Sequence, residues 1–237
     1  MPAGIEIKNE SGYLQITDLF KNFVMIDKGT VNLGGAPWSP TLGGGSYTYG
    51  AHAQISIPNT TGYPPLLAFR CTVYIAIFRT RLASGNWVFD IVSQLGSNYS
   101  TTIEWFAFSE TPNVSPDNFG VEIRNAAGEL AFHSSYRPLV VGDYQSQAAG
   151  HSGSVTLPSG RTLALAILSP LWEWSPQVPA GTWQQFLLGS AVRTTGVRTG
   201  NLISNLQYGQ VYQPANFGWG GGTSGQWSLL ALDVTNY

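Results

Sequence analysis

Apolar and polar positions alternate along much of this chain, and Gly, Asn and Pro break the alternation at short intervals. Ile5 and Ile7, then Leu14 and Ile16, are set among polar neighbours on either side of Asn9-Glu10-Ser11-Gly12. Alternation places successive side chains on opposite faces, so this stretch predicts a β-hairpin with one apolar face, turning at the Asn and Gly. The same pattern returns with Val121, Ile123, Leu130 and Phe132 around Asn125-Ala126-Ala127-Gly128. Turn residues recur at Gly43-Gly44-Gly45, Asn59-Thr60-Thr61-Gly62, Ser84-Gly85-Asn86, Ser159-Gly160 and Gly220-Gly221-Gly222. Between them lie strand-sized segments rich in Val, Ile, Thr and aromatics. No window of a dozen residues carries a sustained helical stripe, and the pattern predicts an all-β protein.

The two hairpin patterns belong to a longer repeat. Gly4-Ile5-Glu6-Ile7-Lys8-Asn9 aligns with Gly120-Val121-Glu122-Ile123-Arg124-Asn125, a shift of 116 positions. The match runs on without a gap through Lys21/Arg137, Phe23/Leu139, Val24/Val140 and Asp27/Asp143. Later parts correspond more loosely. His52 to Pro58 resembles His151 to Pro158, each leading into an apolar run, Cys71 to Phe78 and Leu163 to Leu168. Trp-led strand candidates follow at Trp87 and Trp183, then at Trp105 and Trp227. The expectation is two tandem, duplicated β-sandwich modules, residues 1–118 and 119–237, because paired sheets bury the inward face of every strand. The spacing is too long for a solenoid repeat.

Composition narrows the function. Charged residues are 10% of the chain, well below the roughly 25% of ordinary domains, and the net charge is −2. No basic field exists to collect phosphates, so nucleic acid is not an expected partner. The first residues lack a basic region followed by an apolar stretch, so no export signal is expected, and no apolar run is long enough to span a bilayer. The Asn-x-Ser/Thr triplets at Asn9, Asn59, Asn98 and Asn113 are accordingly set aside. Cys71 is the single cysteine, placed by the pattern in a strand as a small buried hydrophobe.

Groups for catalysis are sparse. His52, His133 and His151 are isolated, with no His-x-His or His-x₃-His spacing that would suit a metal. No nucleophile elbow is present, and Glu104, Glu110 and Glu173 form no recognisable pair for glycoside hydrolysis. The expectation is no catalytic residue, no metal and no cofactor. Trp38, Trp172, Trp174 and Trp219 stand in Gly- and Pro-rich segments and are the candidate binding residues, with rings that could stack on sugars or pack against a partner. Two long stretches, Gly29 to Phe69 and Thr199 to Leu232, contain no Asp, Glu, Lys or Arg. Uncharged, ring-studded surface is characteristic of interfaces, which points to a homo-oligomer or a subunit of a larger assembly.

The segment from Gly120 to Leu139 resembles a hairpin of tail-tip and baseplate proteins of long-tailed, siphovirus-like bacteriophages, and the ending Leu232-Asp233-Val234-Thr235-Asn236-Tyr237 is similar to the endings of those proteins. The resemblance implies a non-enzymatic virion protein at the tail tip, made in the host cytoplasm, docked on other tail subunits and ordered with threefold symmetry. It supplies no catalytic residue. The first copy has Ile16-Thr17-Asp18 where the second has Phe132-His133-Ser134, which leaves open whether both hairpins dock alike. The alternative is a carbohydrate- or receptor-binding module, lectin-like, taking a cell-surface glycan through Trp172, Trp174 and Trp219.

Overall fold

The structure, a computed structural model, describes residues 5–8, 12, 14–19, 21–34, 41–42, 45–46, 51–73, 75–93, 100–112, 119–148, 160–169, 172–177, 184–191, 203–204 and 226–237. Among them every regular element is a strand. In chain order they are β1 (Glu6–Lys8), β2 (Leu14–Thr17), β3 (Phe23–Leu33), β4 (Thr41–Leu42), β5 (Gly45–Ser46), β6 (Ala51–Pro58), β7 (Leu66–Arg70), β8 (Ile75–Ala83), β9 (Asn86–Ser93) and β10 (Thr101–Glu110). They continue with β11 (Glu122–Arg124), β12 (Leu130–His133), β13 (Val141–Ala148), β14 (Leu163–Ser169), β15 (Trp172–Gln177), β16 (Gln184–Ala191), β17 (Ile203–Ser204) and β18 (Gln226–Asp233).

Six antiparallel strands, in the order β13-β18-β14-β7-β10-β3, form the main sheet, with three strands from each side of residue 119. Its two edges meet. Val24 of β3 bridges Pro138, Met25 N donates to Arg137 O at 2.8 Å, and Leu139 N donates to Phe23 O at 2.8 Å, so β3 is joined to the segment that runs into β13. These bonds tie one edge strand of the sheet to the lead-in of the other.

The pairing pattern repeats across the two stretches. Hairpin β1–β2 pairs Glu6 with Thr17, Ile7 with Ile16 and Lys8 with Leu14; β11–β12 pairs Glu122 with His133, Ile123 with Phe132 and Arg124 with Leu130, each partner 116 positions on. Both hairpins carry a register irregularity at the same place, between Ile7 and Lys8 and between Ile123 and Arg124. In the main sheet Met25 and Asp27 face Phe108 and Ala107, while Val141 and Asp143 face Leu232 and Ala231, so each pair of strands bulges by one residue at the same point. In each, the aspartate oxygen accepts the next residue's amide, Lys28 N and Tyr144 N, both at 2.8 Å. At the middle of the sheet, β7 meets β14 with Ala68 opposite Ala166.

One face of the main sheet packs on a three-stranded sheet, β6-β9-β8. Burial alternates along β6, with Ala51, Ala53, Ile55 and Ile57 turned into the interface and their neighbours turned out. These side chains meet Phe69, Ile103, Trp105, Leu165 and Leu229, giving the sandwich its principal core. On the opposite face of the main sheet Ala68, Phe106, Phe108, Ala166 and Leu232 form a second cluster with Tyr237. Tyr237 lies edge-on to Phe108, with centroids 5.9 Å apart, and its hydroxyl donates to Pro138 O, the residue that closes the sheet.

The apolar run Cys71 to Phe78, expected as one strand matching Leu163 to Leu168, is divided. β7 ends at Arg70 and it is β7 that faces β14; Cys71 follows the strand, and β8 begins at Ile75 in the other sheet. The chain must turn a corner between sheets here, and the buried Cys71 thiol donates to Val73 O at 3.1 Å within that corner.

Candidate functional site

The second apolar face of the main sheet is only partly covered. Beside the Phe106–Phe108 cluster it opens into a groove of about 930 Å³, floored by Leu66, Leu139 and Leu230 and walled by Leu14, Leu19 and Phe23 of the first hairpin and its exit. Pro64, Pro65 and Leu168 complete the apolar wall, and Lys21, Asn22, Glu110, Asn125 and Glu129 form the polar rim. Local sequence explains the opening. Pro64 and Pro65 carry no amide hydrogens, so β7 cannot extend its ladder backwards. Across the seam, β14 bulges between Ile167 and Ser169, which leaves Leu168 43% exposed. Among the described residues β7 and β14 therefore pair at two positions, Leu165 with Phe69 and Ala166 with Ala68.

Asn22 fixes the hairpins at the mouth of the groove. Its amide nitrogen donates to Thr17 O at 2.8 Å and to Ala131 O at 2.7 Å, and its Oδ1 accepts Thr17 N at 2.8 Å. Thr111 adds a hydroxyl donation to Asn22 O at 2.7 Å. The second hairpin is seated by these bonds, with Leu130 and Ala131 fully buried. The first hairpin leaves Ile5 and Ile7 47% exposed, Leu14 37% and Leu19 78%. The sequence difference between the hairpins preserves their internal bonds: Asp18 accepts Ile5 N at 3.0 Å as Ser134 Oγ accepts Val121 N at 2.9 Å. Thr17 accepts Leu19 N and His133 Nδ1 accepts Ser135 N, both at 3.2 Å. What differs is one apolar position, Leu14 on the groove wall against the fully buried Leu130.

The rim is acidic. Lys21 lies 3.5 Å from Glu129, and Asn125 Nδ2 donates to Glu129 at 3.0 Å. The Asn125 bond and the Lys21 charge hold the Glu129 carboxyl below its ordinary range. No ion pair of Glu110 occurs among the described residues.

A second polar constellation sits on the outer face of β6-β9-β8. Asp90 has no exposed surface and takes Gln54 Nε2 at 2.7 Å and His52 Nε2 at 3.3 Å on Oδ1, with Arg79 Nε at 2.7 Å and Arg81 Nη1 at 3.2 Å on Oδ2. Burial pushes this carboxyl up, but the bonds from Gln54, Arg79 and His52 outweigh it and hold Asp90 below its ordinary value. Burial, together with repulsion from Arg79 and Arg81, outweighs the bond and charge of Asp90 and holds His52 below its ordinary value. One carboxylate wrapped by two guanidiniums, an amide and an imidazole is a cross-strand clamp.

Of the candidate binding residues, Trp38 and Trp219 lie outside the described residues. Trp172 and Trp174 occupy β15, paired with Gly189 and Leu187 of β16, and their side chains are outside the description. His151 also lies outside it. His133 is buried in the second hairpin, edge-on to Tyr136. No group of three His, Cys, Asp or Glu suited to a metal ion occurs among the described residues, and no helix there is long and apolar enough to cross a membrane. The sequence reading missed the groove, whose leucines come from widely separated segments, so no local pattern marks them. It also missed Asp90, although an Asp inside Trp87-Val88-Phe89-Asp90-Ile91-Val92 is a signal, because a charge in a buried strand must find partners.

Fold and site together define an all-β protein with an open apolar groove at the mouth of a curled sheet. No family model matches the chain, and no curated protein or solved structure is significantly similar to it.

Proposed function

We propose that this chain is a non-enzymatic structural subunit, built from a doubled β unit, which docks on other subunits of a larger assembly through its apolar groove and first hairpin. The observation that carries the reading is the groove itself: a leucine-lined opening continuous with the second apolar cluster, with Leu14 and Leu19 exposed on its wall. Apolar surface concentrated in one place marks a contact site, whereas scattered apolar residues do not. The matched registers 116 positions apart support the doubling. The hairpin that resembles those of phage tail tips supports placing the assembly at the distal end of a long tail, in the virion.

Gold-labelled antibody against the chain, viewed by electron microscopy on purified particles, tests this. Label at the tail tip is the expected result. Particles that carry no label, and no peptide of the chain by mass spectrometry, would overturn it.

A further inference from the structure

We infer that the occupant of the groove is a second copy of this chain, whose β1–β2 hairpin lays Ile5 and Ile7 on the leucine floor and sets Lys8 against Glu110. The inference rests on the docking role proposed above and names the partner.

Three observations favour a second copy. First, the groove needs an occupant with alternating apolar side chains, since its floor belongs to a sheet and its walls are leucines. Ile7 of β1 and Ile5 just before it offer that pattern, each 47% exposed. Second, the charges are complementary. Glu129 shares Lys21, whereas Glu110 has no ion pair among the described residues, so the rim calls for one cation. Lys8 follows Ile7 directly, and its ion pair among the described residues is with Glu6 at 3.2 Å, an exposed pair that exchanges at little cost. Third, the two hairpins differ in cover at one matching position: Leu130 of the second is fully buried, while Leu14 of the first is 37% exposed on the groove wall. A surface that is both donor hairpin and acceptor groove is self-complementary, as contacts between identical subunits are.

Light scattering of the purified full chain between about 1 and about 100 µM tests the inference, since contacts of this kind dissociate in that range. The expected mass is a multiple of the 25.5 kDa chain. Glu110→Lys and, separately, Ile7→Asp are expected to weaken association at least tenfold, both at exposed positions, with unchanged thermal melting of the single chain. Lys8→Glu combined with Glu110→Lys is expected to restore it. A chain that remains single throughout would overturn the inference, as would association indifferent to both substitutions. A chain found in labelled particles yet single in solution defeats the second copy and leaves the docking role standing. Self-association rescued by the charge exchange, in a chain absent from particles, supports the second copy and defeats the tail placement.

Discussion

Asp90 keeps its charge without any exposed surface because four side chains from the two flanking strands converge on its oxygens. Asp90→Asn would leave Arg79 and Arg81 facing a neutral amide. Breaking one side of a buried pair costs about 3–5 kcal/mol, and the partial solvent access of both arginines brings the expected loss to about 2–3 kcal/mol, read by chemical denaturation. The cluster also sets the acid response. His52 is held below its ordinary 6.5, so the unfolded chain takes up a proton there that the folded chain refuses, and stability falls as pH drops below 6.5. Asp90 is held below its ordinary 3.8, so its contribution is present above that value and is lost as pH falls through the lower folded value. Denaturation midpoints are expected to fall in these two steps, with the second step reduced in Asp90→Asn. At this scale the sequence was readable only in part. Asp90 stood out among apolar neighbours, but its partners lie 9 to 38 positions away and are chosen by strand register.

Strands and hairpins are where the sequence spoke most clearly. Alternation at Ile5, Ile7, Leu14 and Ile16 is a local signal, and β1 and β2 lie where it placed them. The same logic failed at Cys71, because a continuous apolar run does not say where the chain leaves one sheet for another. Connections between elements depend on single polar groups that pattern cannot show. Asn22→Ala would remove two donations and one acceptance that hold β2 and β12 together at buried positions, with an expected loss of about 2 kcal/mol by denaturant titration. At the closure of the sheet, burial beside Asp233 pushes the Tyr237 hydroxyl up to about 12 from 10. Its protonated form is favoured by the fold, so this stability is complete below pH 10 and is lost as pH rises toward about 12. Tyr237→Phe is expected to cost about 1 kcal/mol at neutral pH and to remove that alkaline loss. An unchanged alkaline profile would mean that the C-terminal residue does not latch Pro138.

At the scale of the whole molecule, long-range pairing decides the shape. Three strands from each side of residue 119 share one sheet, with Ala68 against Ala166 at its middle and Phe23 bonded to Leu139 where its edges meet. The repeat of 116 positions was visible in the sequence; that the two stretches would join side by side in a single sheet was not, because pairing between distant strands leaves no mark on either alone. The groove is a product of that arrangement, since its floor takes Leu66 from one stretch and Leu139 and Leu230 from the other. Another subunit covering the groove would shield a thiol placed beside it. Cys71 is the single cysteine and is buried, so a thiol introduced by Leu19→Cys, at a position 78% exposed, reports the groove rim alone. Maleimide labelling at that thiol is expected to be at least tenfold slower in the assembled particle than in the dilute single chain. Equal rates in the two states would contradict the account.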